Sequence, residues 1–123
     1  MLIATLMLAQ VTVAVEVEAP AGDLYVQLCS EATYLQSACE HQAVKPAEAR
    51  VVFTFEDVAP GRWAVMAWRD PEEDGEMDRA LFGIPAEPTA IYGDPRGFFG
   101  PPGFEAAAVS VGEGHHRFEM TID

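Results

Sequence analysis

The chain has 123 residues, half of them hydrophobic, with 20 acidic against 7 basic side chains and a formal charge of −13. That length suits one domain with its own core, and the apolar fraction, with only 22% charged residues, excludes a disordered chain. The seven cations are scattered, which argues against a basic face for nucleic acid or an anionic membrane and leaves cations, basic proteins or neutral polymers as partners.

Met1 to Ala9 form an uncharged apolar run that ends in a small residue. The run reads as the hydrophobic part of a truncated secretory signal, with the opening of a buried strand as the alternative. It lacks a basic leader and is far below the roughly 20 residues that span a bilayer, so no membrane insertion is expected. Residues 10–123 are expected to form a single β-sandwich domain. From Gln10 to Glu18, Val11, Val13, Val15 and Val17 alternate with Thr12, Ala14, Glu16 and Glu18, the period of a half-buried strand. Pro20-Ala21-Gly22-Asp23 marks a turn into a second strand that carries Leu24, Val26 and Leu28 on one face, and the two are expected to pair as a hairpin.

Ser30 to Ala47 has no sustained period, and Glu31 to Glu40 fits either a short helix or an extended loop. The only cysteines, Cys29 and Cys39, have a spacing that suits neither a zinc knuckle nor a redox dithiol. In an oxidising compartment they are expected to pair, and closing so short a loop contributes roughly 3 kcal/mol on the chain-entropy account. Two separate buried thiols are the alternative. Arg50 to Glu56 alternates again, and Val58-Ala59-Pro60-Gly61 turns the chain into a strand from Arg62 to Arg69. Trp63, Val65 and Ala67 on one side, with Ala64, Met66 and Trp68 on the other, place that strand at the centre of a sheet.

Asp70 to Phe104 holds six of the nine prolines and six of the ten glycines, and reads as one long loop without regular structure. Ala107 to Val111 and Arg117 to Ile122 read as two final strands joined by Gly112-Glu113-Gly114-His115, with Phe118, Met120 and Ile122 inward. The expected fold is an all-β, Greek-key sandwich of six or seven strands.

The chemistry concentrates at Asp70-Pro71-Glu72-Glu73-Asp74-Gly75-Glu76-Met77-Asp78, six carboxylates in nine residues around one glycine. The form D-x-E-x-D-G-x-x-D is close to the front half of an oxygen-ligand calcium loop. Asp70, Glu72, Asp74 and Asp78 are the candidate side-chain ligands and Glu76 the candidate backbone ligand. Leu81 stands where a helix-flanked loop carries its bidentate Glu, so the cage would be completed by water or by Glu87, Asp94 or Glu105. The competing reading is a solvated acidic bend.

Other constellations carry less. Adjacent His115 and His116 point to opposite faces of an extended segment, and His41 is remote in sequence. No nucleophile elbow, zinc-protease helix or phosphate loop is present. A carboxylate pair drawn from Asp70, Asp78, Glu87 and Glu105 would allow glycoside hydrolysis. Phe98-Phe99-Gly100-Pro101-Pro102-Gly103-Phe104 serves either as a groove for a sugar or peptide partner in envelope adhesion or assembly, or as the apolar anchor of the long loop.

Four ordered motifs resemble the bacterial secreted family called domain of unknown function 2141. They are Phe55-Glu56-Asp57-Val58-Ala59-Pro60-Gly61-Arg62-Trp63-Ala64-Val65, then Arg69-Asp70 through Asp78, then Phe82-Gly83-Ile84-Pro85-Ala86-Glu87-Pro88, then Gly100-Pro101-Pro102-Gly103-Phe104-Glu105-Ala106-Ala107. The resemblance implies an exported sandwich of prealbumin-like or immunoglobulin-like topology, with no known activity. Where the family tends to have His-Asp-x-Asn-x-Asn-Gly-x-x-Asp, this chain has Arg69, Glu72 and Asp74 in place of the histidine and asparagines, and keeps Asp70, Gly75 and Asp78. The family's Gly-Phe-Ser-Asn step is here Ile91-Tyr92-Gly93-Asp94, and the Tyr-Arg-Gly-Ser terminus of hydroxyisourate hydrolases is absent from a chain ending Met120-Thr121-Ile122-Asp123. The expectation is a secreted or periplasmic, non-catalytic module with a calcium-ordered loop.

Overall fold

Rows of alternating apolar residues pair by face rather than by nearness in the chain, and the computed structural model shows how; it describes residues 8–36, 38–70, 89–93 and 103–122. The elements run β1 (Ala9–Val17), β2 (Asp23–Cys29), β3 (His41–Pro46), β4 (Arg50–Val58), β5 (Gly61–Asp70), β6 (Thr89–Ile91), α1 (Phe104–Ala107), β7 (Ala108–Val111) and β8 (Gly114–Ile122). One sheet has the order β4-β1-β8, with β1 antiparallel to β4 and parallel to β8. The other has the order β3-β2-β5-β6, and β7 shares with β6 the second edge of β5, β7 against Gly61 to Ala64 and β6 against Met66 to Trp68.

The two sheets face each other across a core of Val11, Val13, Val15, Leu24, Val26, Leu28, Phe53, Trp63, Val65, Phe118 and Met120, among others. The expected all-β sandwich is therefore the fold observed, with eight strands among the described residues. Two strands were not foreseen. β3 reads His-Gln-Ala-Val-Lys-Pro, a polar edge strand without apolar alternation, and β6 has three residues. Within the segment expected to be one long loop, β6 is a described strand, and α1 begins at the segment's last residue, Phe104.

The hairpin expected between β1 and β2 does not form. β1 and β2 belong to different sheets, and the turn ending at Gly22, with φ of +72°, lifts the chain from one layer to the other. The reason is that each strand has one apolar face: side by side those faces would need a third layer to cover them, whereas opposed across roughly 10 Å they cover each other. The chain crosses between sheets again from β3 to β4, from β4 to β5 and from β7 to β8. Before the crossing from β4 to β5, β4 carries a bulge, since Ala9 stands level with Val58 but Val11 with Phe55, and Asp57 takes φ of +57° in the extra residue. The Trp63 indole then donates a 2.8 Å hydrogen bond to the Ala59 carbonyl and pins the corner.

β5 is buried on both faces from Trp63 to Asp70. Its outer face carries a second apolar cluster of Cys29, Tyr34, Ala64, Met66 and Ala107, with Leu35, Cys39, Ile91 and Phe104 packed against it. The segment between β2 and β3 is a compact turn, not a helix, and it is closed by the Cys29–Cys39 disulfide with Cα atoms 4.9 Å apart. Tyr34 reaches over β5 to meet the Phe104 ring edge-on at 5.7 Å. The Glu40 carboxylate accepts hydrogen bonds from the Ser30 amide and from the Ser30 and Thr33 hydroxyls.

Removing the indole donor at the β4–β5 corner tests the pin directly. Trp63→Phe keeps most of the apolar volume and should cost about 1 kcal/mol in denaturant unfolding, whereas an effect on ligand-free stability indistinguishable from zero would show that the bond adds nothing. A second expectation concerns acid. Partial desolvation acts to raise the Glu40 pKa, but the Ser30 and Thr33 hydrogen bonds outweigh it and hold the group down from an ordinary 4.5 to about 2. The folded-state pKa is the lower one, so this contribution is complete above 4.5 and is lost as pH falls towards 2. The melting-temperature gap between wild type and Glu40→Gln should therefore be widest above pH 4.5 and close as pH approaches 2.

Candidate functional site

The register of β2 on β5 determines what stands at the start of the acidic run. Leu24, Val26 and Leu28 pair with Arg69, Ala67 and Val65 towards the core, so Asp23, Tyr25, Gln27 and Cys29 pair with Asp70, Trp68, Met66 and Ala64 on the outer face. Asp23 and Asp70 are therefore direct cross-strand neighbours, with Cβ atoms on the order of 5 Å apart. Asp70 has no exposed surface. Next to the pair, Tyr25 and Trp68 stack with ring centroids 4.2 Å apart and planes 7° from parallel. On the core side Arg69, only 8% exposed, donates a 3.3 Å hydrogen bond to the Ala21 carbonyl and ties β5 to the turn before β2. The Ala47 amide donates to the Gly22 carbonyl at 2.9 Å, which braces the same turn from the other side.

Of the candidate ligands, Asp70 is at this position, while Glu72, Asp74, Glu76 and Asp78 lie outside the described residues, as do Glu87 and Asp94. Among the described residues no three histidine, cysteine or acidic side chains gather where they could hold a metal ion. Asp23 is the residue that sequence reasoning missed. It was read as turn punctuation, and only the pairing of β2 with β5 brings it level with Asp70.

Glu105 does not join the site. Its carboxylate lies 3.4 Å from the Arg62 guanidinium, and Arg62 is eight residues from Asp70 along β5, roughly 26 Å at strand rise. That separation corrects Glu105 as a completing ligand. It also removes Asp70 with Glu105 as a hydrolytic pair, because glycosidase carboxylates stand roughly 5–9.5 Å apart.

The histidines stay apart. His115 Nε2 shares a 3.0 Å hydrogen bond with the Thr12 hydroxyl, and His116 Nε2 donates to the Gly112 carbonyl at 3.0 Å. His41 packs edge-on to Trp63 and Phe55, with centroids at 5.4 and 6.2 Å. Of the Phe98 to Phe104 segment, Gly103 and Phe104 are described; Phe104 packs on Tyr34 as an apolar anchor.

A family model for uncharacterized proteins conserved in bacteria, DUF2141, matches residues 11–119. The chain belongs to this family. The match runs from β1 into β8 and so takes in both sheets, the disulfide and the Asp23–Asp70 pair of this DUF2141 protein. No curated protein and no solved structure matches it. Among the described residues no helix of this DUF2141 protein is long and apolar enough to cross a membrane.

Proposed function

We propose that the protein is an exported, non-catalytic β-sandwich module whose acidic segment, entered at Asp70, is ordered by a divalent cation of the calcium class. The observation that carries this reading is the cross-strand pairing of Asp23 with a fully buried Asp70, immediately before Glu72, Glu73, Asp74, Glu76 and Asp78 in the sequence. Like charges directly opposite on a sheet repel, and the carboxylates that follow Asp70 in the sequence add to that charge. A hard cation with oxygen ligands offsets that repulsion. Asp23 and Asp70 would supply the rigid part of the cage from two paired strands, and the segment after Asp70 the adaptable part.

Export is supported by the Cys29–Cys39 disulfide, a bond that persists in oxidising compartments, together with the apolar run at residues 1–9. The non-catalytic reading rests on the absence from the sequence of the nucleophile, zinc-protease and phosphate-loop motifs, and on the separation of Glu105 from Asp70.

Calcium at a hundredfold excess over its Kd should stabilise the fold by about 2.7 kcal/mol, a rise in melting temperature on the order of 10 °C. Asp74→Ala should lose most of that rise. Equal rises in wild type and variant, or none in either, would refute the loop site. Asp23→Asn should reverse sign with conditions: in chelator it removes a like-charge contact and adds roughly 0.2–1 kcal/mol, and in calcium it is the less stable protein. A melting temperature below wild type in chelator would contradict the paired-carboxylate reading.

A further inference from the structure

The two flanks of the sandwich are finished differently. On one flank the edge strands β3 and β4 close on each other, with the Lys45 ammonium 5.3 Å over the Phe53 ring and donating a 2.6 Å hydrogen bond to the Val52 carbonyl. Pro46 ends β3 without an amide, so an incoming strand meets a charge, a capped carbonyl and a missing donor. On the other flank, between β6 and β8, lies a groove of about 600 Å³ whose walls include Glu18, Thr89, Tyr92, Glu119 and Thr121.

β8 is the longest strand at that flank, nine residues paired throughout with β1, and among the described residues it ends its sheet. The Ile122 carbonyl accepts a 2.8 Å hydrogen bond from the Glu18 amide and so faces β1. Alternation along the strand turns the amides and carbonyls of Glu119 and Thr121 the other way, into the groove. The floor is held firm by the Tyr92 ring, which meets Phe118 edge-on at 4.8 Å, and by the Tyr92 amide, which donates to the Val65 carbonyl at 2.9 Å. The charged side chains among the described wall residues are both carboxylates, Glu18 and Glu119. Glu119 is held by Arg50 of β4 at 3.5 Å and by Arg117 at 3.6 Å, so its carboxylate leans across β1 and leaves Glu18 as the attraction for a cation in the groove.

We propose that this groove is a docking site for an extended basic peptide, which adds a strand to the edge of β8 that has no partner strand among the described residues and sets a lysine or arginine side chain against Glu18. Main-chain hydrogen bonds would supply affinity and the Glu18 carboxylate the choice of charge, the division of labour usual in strand addition. The net charge of −13 favours the encounter with a cationic segment over any other.

The test uses a peptide of alternating lysine and valine, nine residues long to match β8, titrated into the isotopically labelled full chain. Saturable binding is expected, with amide shifts grouped on Thr89–Gly93 and Glu119–Ile122. Glu18→Lys should weaken it about tenfold, and the same peptide with every amide N-methylated, unchanged in charge but stripped of donors, should not bind. Shifts spread over the acidic surface, equal binding by Glu18→Lys, equal binding of the methylated peptide, or no saturable binding would each overturn the proposal. Run in chelator, the titration is independent of the calcium reading.

Discussion

The pairing register of β2 on β5 is the constraint on which the rest of the structure depends. It points Leu24, Val26 and Leu28 with Val65 and Ala67 into the core, and by the same alternation sets Tyr25 on Trp68, Cys29 beside Ala64, and Asp23 beside Asp70. A slip of one residue would turn every one of these side chains to the opposite face. The register is held from several directions: by the core, by the disulfide loop and α1 lying over the outer face, and by the bond from Arg69 to Ala21 at the end where the acidic segment begins. One ladder thus supplies the centre of the sheet, the platform for the disulfide loop and the paired carboxylates.

Much of this fold was legible in the sequence because alternation reports which face is buried. The strands of Val11 to Val17, Leu24 to Leu28, Val51 to Phe55 and Phe118 to Ile122 all bury the residues that period two selects. The bulk on both sides of β5 correctly placed it in the middle of a sheet, and the pairing of Cys29 with Cys39 expected in an oxidising compartment is the disulfide observed. Alternation is silent about partners, however. Nothing in Pro20-Ala21-Gly22 distinguishes a tight hairpin from a crossing between layers, which is why β1 and β2 were expected to pair and do not. β3 was invisible for a different reason: an edge strand that must discourage intruders carries lysine and proline, residues that read as loop.

The candidate site shows the same division. The density of carboxylates from Asp70 to Asp78 is a property of the sequence and needed no structure. Asp23, by contrast, lies 47 positions earlier and becomes a neighbour only through the ladder. Glu105 follows the opposite course, chosen as a plausible ligand from the sequence and placed by its bond to Arg62 at the far end of β5. Membership of DUF2141 agrees with the motifs that first indicated it and leaves the activity to be argued from the residues.

On the proposed reading, the register of β2 on β5 brings Asp23 and Asp70 together as ligands of a divalent cation. A crystal structure determined in calcium tests it most directly. An ion with oxygens of both Asp23 and Asp70 at about 2.3–2.6 Å would meet the claim. Full-occupancy density for these two carboxylates with no ion between them, or an ion held elsewhere on the chain, would contradict it.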